Sequence, residues 1–358
     1  MSASSIRTMN RTLLLAAAPF IGLLAWMLVS NVELTLSGSA YPAHEMQPID
    51  LNVGSESVRG GLSAAESLAQ GTGHSIKKQI SLYNKTNDDM NQIAAIASKQ
   101  AARPHQIYDK RITSKLGKPS NTMNSDKLTA QLFDLKADNF RGYALKIKLK
   151  KGDAMKLVLG KDENGGAETT LEAVKRYKAA IGINGGGFAD GGGKRYPLST
   201  TIVDGEYVSG FQPTFKDLFF VGMSESNKLI GGKFTSKSQL DSANPKFGAS
   251  FVPILLQNGR MTEIPLKWQT SPKRAPRTVI ANYKDDQLLF LVVDGYNEKG
   301  SSGATLMEMQ ILLKRYGAIN GYNLDGGGST SLVWNGRVVN NPSDGQLRKL
   351  PTNFLFFS

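Results

Sequence analysis

The chain of 358 residues contains no cysteine and only three histidines. Without cysteine there is no disulfide framework and no thiolate metal site; the compartment stays open, because exported proteins also dispense with disulfides. His44, His74 and His105 all precede residue 140. The rest of the chain therefore cannot build a Ser-His-Asp or Cys-His nucleophile, nor a histidine-ligated zinc. The histidines themselves read as exposed linker residues without a role. No glycine-rich turn is followed by Gly-Lys-Ser/Thr, which excludes a phosphate loop of the nucleotide-hydrolase type. Lys and Arg are dispersed, and zinc-finger, helix-turn-helix and RNP-type signatures are absent, so nucleic acid is not an expected partner.

What is present points to a globular protein. Apolar residues make up 40% of the chain, and its length suits one or two domains with real cores. The net charge is +13, and most of the excess follows residue 140, with 29 basic against 19 acidic side chains. Such a surplus suits an anionic partner such as a phosphate-bearing polymer or an acidic lipid surface, with general solubility as the competing reading.

One long apolar run breaks the otherwise polar N-terminal part. Leu13–Val29 reads LLLAAAPFIGLLAWMLV, uncharged, with Arg7 and Arg11 before it and Glu33 after it. With its neighbours it approaches the ~20 residues a helix needs to cross hydrocarbon. The charge bias predicts a cytoplasmic N-terminus and an exported remainder, so residues 1–30 are expected to be a single-pass membrane anchor. A cleaved signal peptide ending near Gly38-Ser39-Ala40 is the competitor. Residues 31–139 are rich in Ser, Asn, Gln and Lys and read as a partly helical stalk. Ile80, Tyr83, Ile93, Ile96 and Ala97 give a sparse stripe over 76–102, which Pro104 and Gly117-Lys118-Pro119 are expected to break.

From residue 140 onward the texture is that of a mixed α+β domain with a large sheet. Tyr143–Leu149 alternates apolar and basic residues, as a half-buried strand does, and Met155–Leu159 follows a Gly152-Asp153 turn. Asp204-Gly205, Asn258-Gly259, Asp285-Asp286 and Asn335-Gly336 signal hairpins. Leu288–Val293 (LLFLVV) suits a strand buried on both faces. An internal echo stands out. A helix over 169–178 ends in Lys-Arg-Tyr and leads through AAIGI to Asn184-Gly185-Gly186-Gly187. A second, over 304–316, ends in Lys-Arg-Tyr and leads through GAINGYNL to Asp325-Gly326-Gly327-Gly328. A pseudo-duplicated core is expected, with both glycine turns at one end of the sheet.

Carboxylates, Arg/Lys, amides and hydroxyls are then the available chemistry. They suit glycoside cleavage by acidic residues, or a hard, oxygen-ligated divalent cation such as Ca²⁺ or Mg²⁺. Asp204, Asp285 and Asp286 are explained by turn chemistry. Asp294 and Asp325 each end an apolar strand, where a charge is costly unless it faces a cleft or a partner. The glycines after Asp325 allow close backbone approach and anion-binding N–H groups.

The ordered series Arg277–Ala281, Val293-Asp294-Gly295, Gly303–Glu308 and Asn323–Thr330 resembles the phosphodiester glycosidase family. Ile183–Phe188 resembles its first asparagine–glycine motif, and Asn340-Asn341-Pro342 with Arg348 extends the likeness, which covers about residues 140–358. Gly187 stands where that motif would carry an aromatic. The resemblance implies hydrolysis of the bond between an anomeric sugar carbon and a phosphodiester, typically of α-linked N-acetylglucosamine-1-phosphate. A phosphate leaving group needs little proton donation; such a site needs donors for the departing phosphate and a carboxylate near the oxocarbenium-like carbon. On this reading Asp325 is the nucleophile or general base and Asp294 its partner. Arg277 forks onto phosphate, helped by Gly326, Gly327, Gly328, Ser329, Thr330 and Arg348. Asn184, Gly185, Gly186 and Asn323 position the sugar, and Glu308 either lines the site or holds Arg277. A membrane-anchored extracytoplasmic enzyme of envelope polymer or exopolysaccharide would follow. A metal-dependent phosphodiesterase using Asp294, Asp325 and Glu308, and a non-catalytic polymer-binding module, stay open as rivals.

Overall fold

The computed structural model describes residues 51–296 and 302–358. The expected anchor and His44 lie outside the described residues. Among those described, no helix is long and apolar enough to cross a membrane. The chain divides into two units, Met1–Met90 and Asn91–Ser358.

The described part of the first unit is helix, belonging to an element that runs Leu51–Leu116 with Pro104 inside it. The helix thus extends well past the expected 76–102. Pro104 does not break it, because Tyr108, Ile112 and Leu116 beyond it pack on the sheet of the second unit's core; tertiary burial outweighs the local cost. Gly117, in the left-handed region at φ +98°, does end it. His74 and His105 are exposed on this helix.

The second unit holds three main sheets. The largest has eight strands in the order Asn121–Asn124, Leu128–Lys136, Arg141–Leu149, Leu288–Val293, Arg277–Asn282, Asn320–Leu324, Ile254–Gln257 and Arg260–Met261. A domain start at 140 therefore cuts off two strands. The missed signal is alternation: Leu128, Ala130 and Leu132 enter one core, while Phe133 and Leu135 enter another. Leu288–Val293 behaves as expected of a strand covered twice. Leu288, Phe290 and Val292 face the first core, and Leu289, Leu291 and Val293 face the second.

A five-stranded sheet runs Arg337–Val338, Leu332–Trp334, Ile181–Asn184, Thr352–Phe356, Met155–Leu159. Another runs Leu229–Gly232, Phe219–Ser224, Pro245–Phe251, Ile202–Val203, Glu206–Tyr207. Leu145, Ile183, Phe247 and Phe354, drawn from all three sheets, share one core. The four hairpin signals each join paired strands. Gly152-Asp153 instead carries the chain from the eight-stranded sheet to a five-stranded one.

The echoed helices are real and alike. Thr170–Tyr177 and Leu306–Tyr316 each open with a capping box, Thr169 with Glu172 and Thr305 with Glu308, and each closes on a left-handed residue, Lys178 or Gly317. Their strands, however, lie in two different sheets rather than one. The expected single sheet end is a junction of two.

Candidate functional site

Sheet register gathers the predicted residues. Arg277 pairs with Val293 and Thr278 with Leu324, so Arg277 opens the strand that lies between those ending at Asp294 and Asp325. The two carboxylate-bearing positions therefore stand two strands apart at one sheet end, roughly 10 Å at the backbone. Asn184 arrives from the second sheet and joins them. Its Nδ2 donates to the Asp325 carbonyl (2.7 Å), while its Oδ1 accepts from Thr278 Oγ1 (2.8 Å) and Ser331 N (3.1 Å).

Asp325 is the perturbed group. Its Oδ1 accepts from the Gly326 N–H (3.1 Å), and its Oδ2 is buried without a hydrogen-bond partner. Burial pushes its pKa up to about 6, against the opposing pull of the nearby Ser329 hydroxyl, Arg348, Gly326 N–H and Arg195. Arg348 donates to Asp344 (2.7 Å) and, at 3.4 Å, to Ser329 Oγ, and remains half-exposed. A side chain at Gly328 would collide with Arg348 and Asp344, so a glycine is required there for the guanidinium to lie against the turn. Arg195 completes the surround: Asp190 holds it (2.7 and 3.0 Å), and it lies over the Phe188 ring. Composition gave no hint of Arg195; its place on the hairpin Phe188–Gly191/Lys194–Pro197 directly after the first glycine motif was the available signal.

Asp294 is buried and accepts at Oδ1 from Asn341 N (2.9 Å) and Asn340 Nδ2 (3.3 Å). Burial raises its pKa, partly offset by these two bonds. Asn340 also donates to the Thr330 carbonyl (3.1 Å), which ties the Asp294 end to the Asp325 turn. Asn340-Asn341 was part of the motif series but was not expected to support a site carboxylate.

Several expected roles change. Arg277 is 6% exposed, and its Nε and Nη2 donate to the carbonyls of Ala304 (3.1 Å) and Pro272 (2.9 Å), so it braces two loops. Burial lowers its pKa. Glu308 does not hold Arg277. It closes its capping box at Thr305 and pairs with Arg274 (2.7 Å). Asn184 is fully buried with its amide committed, and Asn323 is 3% exposed, its Nδ2 donating to the Val252 carbonyl (2.7 Å). The Asn323 Oδ1 is buried without a hydrogen-bond partner. Gly185 and Gly186 are required for close packing: a Cβ would lie 2.3 Å from Thr352 Oγ1 in one case and 2.6 Å from Ala249 Cβ in the other. Beside Gly187, Phe251 and Leu198 fill the space an aromatic would take. Of the second turn's amides, Gly326 donates to Asp325, Gly327 to the Pro276 carbonyl, and Ser329 and Thr330 back into the turn. The Gly328 amide is the one not so used among the described residues. Ser329 and Thr330 are buried at the turn.

No group of three or more metal-ligating side chains converges among the described residues. A cavity of about 690 Å³ lies elsewhere, lined by His105, Asp109, Lys146 and Gln287 among others. Its buried ammonium, Lys146, is already satisfied by Asp109 (2.6 Å), Thr113 (2.9 Å) and Gln131 (3.1 Å). The sheet junction, with Asp294 and Asp325, is the candidate site.

Comparison with known proteins bears on the family and the fold. The sequence profile described as phosphodiester glycosidase matches residues 177–357. The human N-acetylglucosamine-1-phosphodiester alpha-N-acetylglucosaminidase is 28% identical over 190 residues, covering 49% of this chain and 36% of that one. The mouse enzyme of the same name is 29% identical over 178 residues, 46% of this chain and 33% of its own. An SPbeta prophage-derived uncharacterized protein of Bacillus subtilis, YomE, is 29% identical over 184 residues, 50% and 28% of the two chains. The match thus spans about a third of these relatives' length. The zebrafish catalytic domain of the same enzyme name, auto-inhibited by its pro-peptide, superposes with a TM-score of 0.53 at 22% identity, over 67% of this chain and 87% of that one.

Proposed function

The chain belongs to the phosphodiester glycosidase family, and on that premise we propose that it hydrolyses a sugar-1-phosphodiester, with α-linked N-acetylglucosamine as the sugar. The observation that carries this reading is Asp325: a carboxyl with a buried, unpartnered Oδ2, its pKa near 6, set beside two arginines at a sheet junction. Once ionised it is placed to attack, or to activate water toward, the anomeric carbon, and Asp294 across the intervening strand supports the developing positive charge. Arg348 and Arg195 supply the cations for the departing phosphate, with the Gly328 amide as a further donor. Arg277 holds the Pro272 and Ala304 loops that frame the end of the site.

The cellular part of the reading rests on sequence alone. The apolar segment 13–29 and the surplus of basic residues support an anchored, extracytoplasmic enzyme acting on a phosphate-bearing glycan of the envelope or of secreted polysaccharide. Attack at phosphorus through a divalent cation is less favoured, because Glu308 is committed to its helix cap and to Arg274. The test is hydrolysis of an α-N-acetylglucosamine-1-phosphodiester by the full chain in ¹⁸O-labelled water. Label in the sugar is expected; label in the phosphate would transfer the reaction to the phosphodiesterase reading, and binding without products to the non-catalytic one.

A further inference from the structure

The long helix has a solvent-exposed face that a soluble protein does not leave bare. Between residues 55 and 90 every large apolar side chain is exposed, including Leu62 (65%), Leu68 (75%) and Tyr83 (72%). These side chains are not scattered. Counting Leu62 as the first position of a heptad, Leu62, Ile76, Tyr83 and Met90 share position a, and Val58 takes d. Leu68 and Leu82 take g, and Ile80 takes e. The outward positions b, c and f carry Lys77, Lys78, Lys85, Ser81 and Asp88, and no large apolar residue falls there. A repeat of 3.5 residues is the signature of a helix that supercoils about another helix of the same period.

The helix also needs a partner to persist. Gly60, Gly61, Gly71 and Gly73 lie inside it, each costing about 1 kcal/mol relative to alanine. An isolated helix in water draws its stability from a buried face, and this one buries none of its own between residues 55 and 90. The partner is not another helix of the same chain among the described residues, where the other α-helices have 8, 5, 5 and 11 residues.

We propose that this face binds a second copy of the chain, as a parallel, in-register coiled coil centred on Gln79. Two features select a like partner. Thr72 and Thr86, both at d, donate their hydroxyls back to the carbonyls of Leu68 and Leu82 (2.8 Å each) and so present methyl groups to the seam. Gln79, at the d position between them, brings a short amide into the centre of the seam, where its polar atoms need a partner across it, whereas the Tyr83 hydroxyl sits at the end of a long ring. Its amide both donates and accepts, so Gln79 against Gln79 satisfies both chains, whereas an apolar helix opposite would leave it unpaired. Parallel alignment also sets large flanking residues against smaller ones: Leu68 meets Gly73, Leu82 meets Asn87, and Ile80 meets Ser75. The seam from Val58 to Met90 is about 50 Å long at 1.5 Å per residue, and with a helix roughly 11 Å across it buries about 1,100 Å² over the two copies. That passes the ~1,000 Å² expected of a biological interface. The apolar residues at g and e broaden the stripe beyond a strict a/d seam, so assemblies of more than two copies use the same face.

The absence of native cysteine makes the test direct. In the full chain, in detergent or in membranes, the single variants Thr72→Cys and Thr86→Cys are expected to form covalent dimers on mild oxidation. Ser81→Cys, on the outward face, should give at least tenfold less. In parallel, the wild-type chain should sediment at an integer multiple of its mass, and Ile76→Asp/Met90→Asp should reduce it to a monomer without moving the melting temperature of the sheet-bearing unit. A monomeric wild type, equal cross-linking at Ser81→Cys, or an oligomer that survives the double aspartate variant overturns the proposal. Cross-linking only between mixed Thr72→Cys and Thr86→Cys chains, which marks an antiparallel pair, overturns it as well, as does a complex with a different protein.

Discussion

The two helix–strand–glycine-turn units begin alike and end differently. Thr169 and Thr305 cap their helices through glutamates three residues on, and each following strand runs into a polar residue and three glycines. In the first unit that polar residue is Asn184, neutral, fully buried and hydrogen-bonded at both ends of its amide. In the second it is Asp325, with one oxygen buried and unpartnered. The same local scaffold thus yields a brace in one copy and a carboxyl with an unpartnered oxygen in the other, and the brace holds that second residue by its backbone carbonyl. What separates them is whether the buried polar atoms are satisfied, which is set by the opposite sheet and not by the turn.

The strongest way to sharpen this contrast is Asp325→Asn. It keeps the shape and should lower kcat by about 10²–10⁴-fold, the range for losing a positioned acid or base. Stability should move the other way. The folded carboxyl holds its proton up to about pH 6, while the unfolded one loses it near the ordinary carboxylate value. Between those two values the folded state binds more protons, so wild-type stability falls as pH rises through about 4 to 6 and then levels. Asp325→Asn removes that slope and at pH 7 should be more stable, by on the order of 2 kcal/mol. Thermal unfolding across pH checks both signs. Activity that depends on ionised Asp325 should rise through about pH 6; a profile flat from pH 4 to 8 would remove it from the chemistry.

Arg348→Ala comes next in size. Loss of a cation opposite the departing phosphate should reduce kcat by about 10²–10³-fold, with Arg348→Lys recovering part of it because it keeps the charge but not the fork. The same substitution should leave stability nearly unchanged, since Arg348 is half-exposed and its hydrogen bonds among the described residues go to Asp344 and Ser329. A variant that melts early instead would assign the arginine to the fold.

Asn184→Ala breaks the brace. It orphans the Thr278 hydroxyl, the Ser331 amide and the Asp325 carbonyl at once, and at about 1–3 kcal/mol per buried group should cost about 3–9 kcal/mol, less whatever relaxation recovers. Activity should fall with it, through a displaced Asp325, and the pH midpoint of the residual activity should drop toward the ordinary carboxylate range as water enters. An unshifted midpoint would mean that Asn184 supports only the fold.

The sequence showed one half of this arrangement clearly. Asp294 and Asp325 could be singled out because each ends an apolar strand, and Leu288–Val293 announced its double burial by composition alone. Strands before residue 140 were missed because Asn121–Asn124 and Leu128–Lys136 sit in a polar stretch at a sheet edge, where only every second residue must be apolar. Pro104 does not end the helix because a propensity is local and the docking of Ile112 is not. Among site residues, Asn184, Asn323 and Arg277 stand at the junction, each with hydrogen bonds to other parts of the fold. Hydrogen-bond partners such as Pro272 and Val252 come from distant loops, and no spacing along the chain shows whether an amide or a guanidinium is spent. Arg195 had only a weak signal, its place on the hairpin after the first glycine motif, because it acts on Asp325 through space.

The smallest predicted effect tests whether the two units are equivalent where they look so. Glu172→Gln and Glu308→Gln each weaken a capping box, and the cap itself accounts for about 1 kcal/mol. Glu172 contributes the box alone, accepting from Thr169 N at 2.8 Å. Glu308 adds the pair with Arg274, whose other nitrogen donates to the Gly303 carbonyl (2.8 Å), next to the Ala304 carbonyl that Arg277 uses. Both carboxyls have lowered pKa values, opposing their burial: for Glu172 mainly through the Thr169 backbone bond, for Glu308 mainly through Arg274. Each therefore contributes stability above the unfolded carboxylate value that is lost as pH falls below it. If the units differ only in the turns beyond their strands, the two glutamine variants should lose similar stability, within about 0.5 kcal/mol, and kcat should fall by less than threefold in Glu308→Gln and not at all in Glu172→Gln. A tenfold or larger loss confined to Glu308→Gln would mean that the divergence between the units begins at the helix cap, with Arg274 and the Gly303–Ala304 loop carrying it to the site.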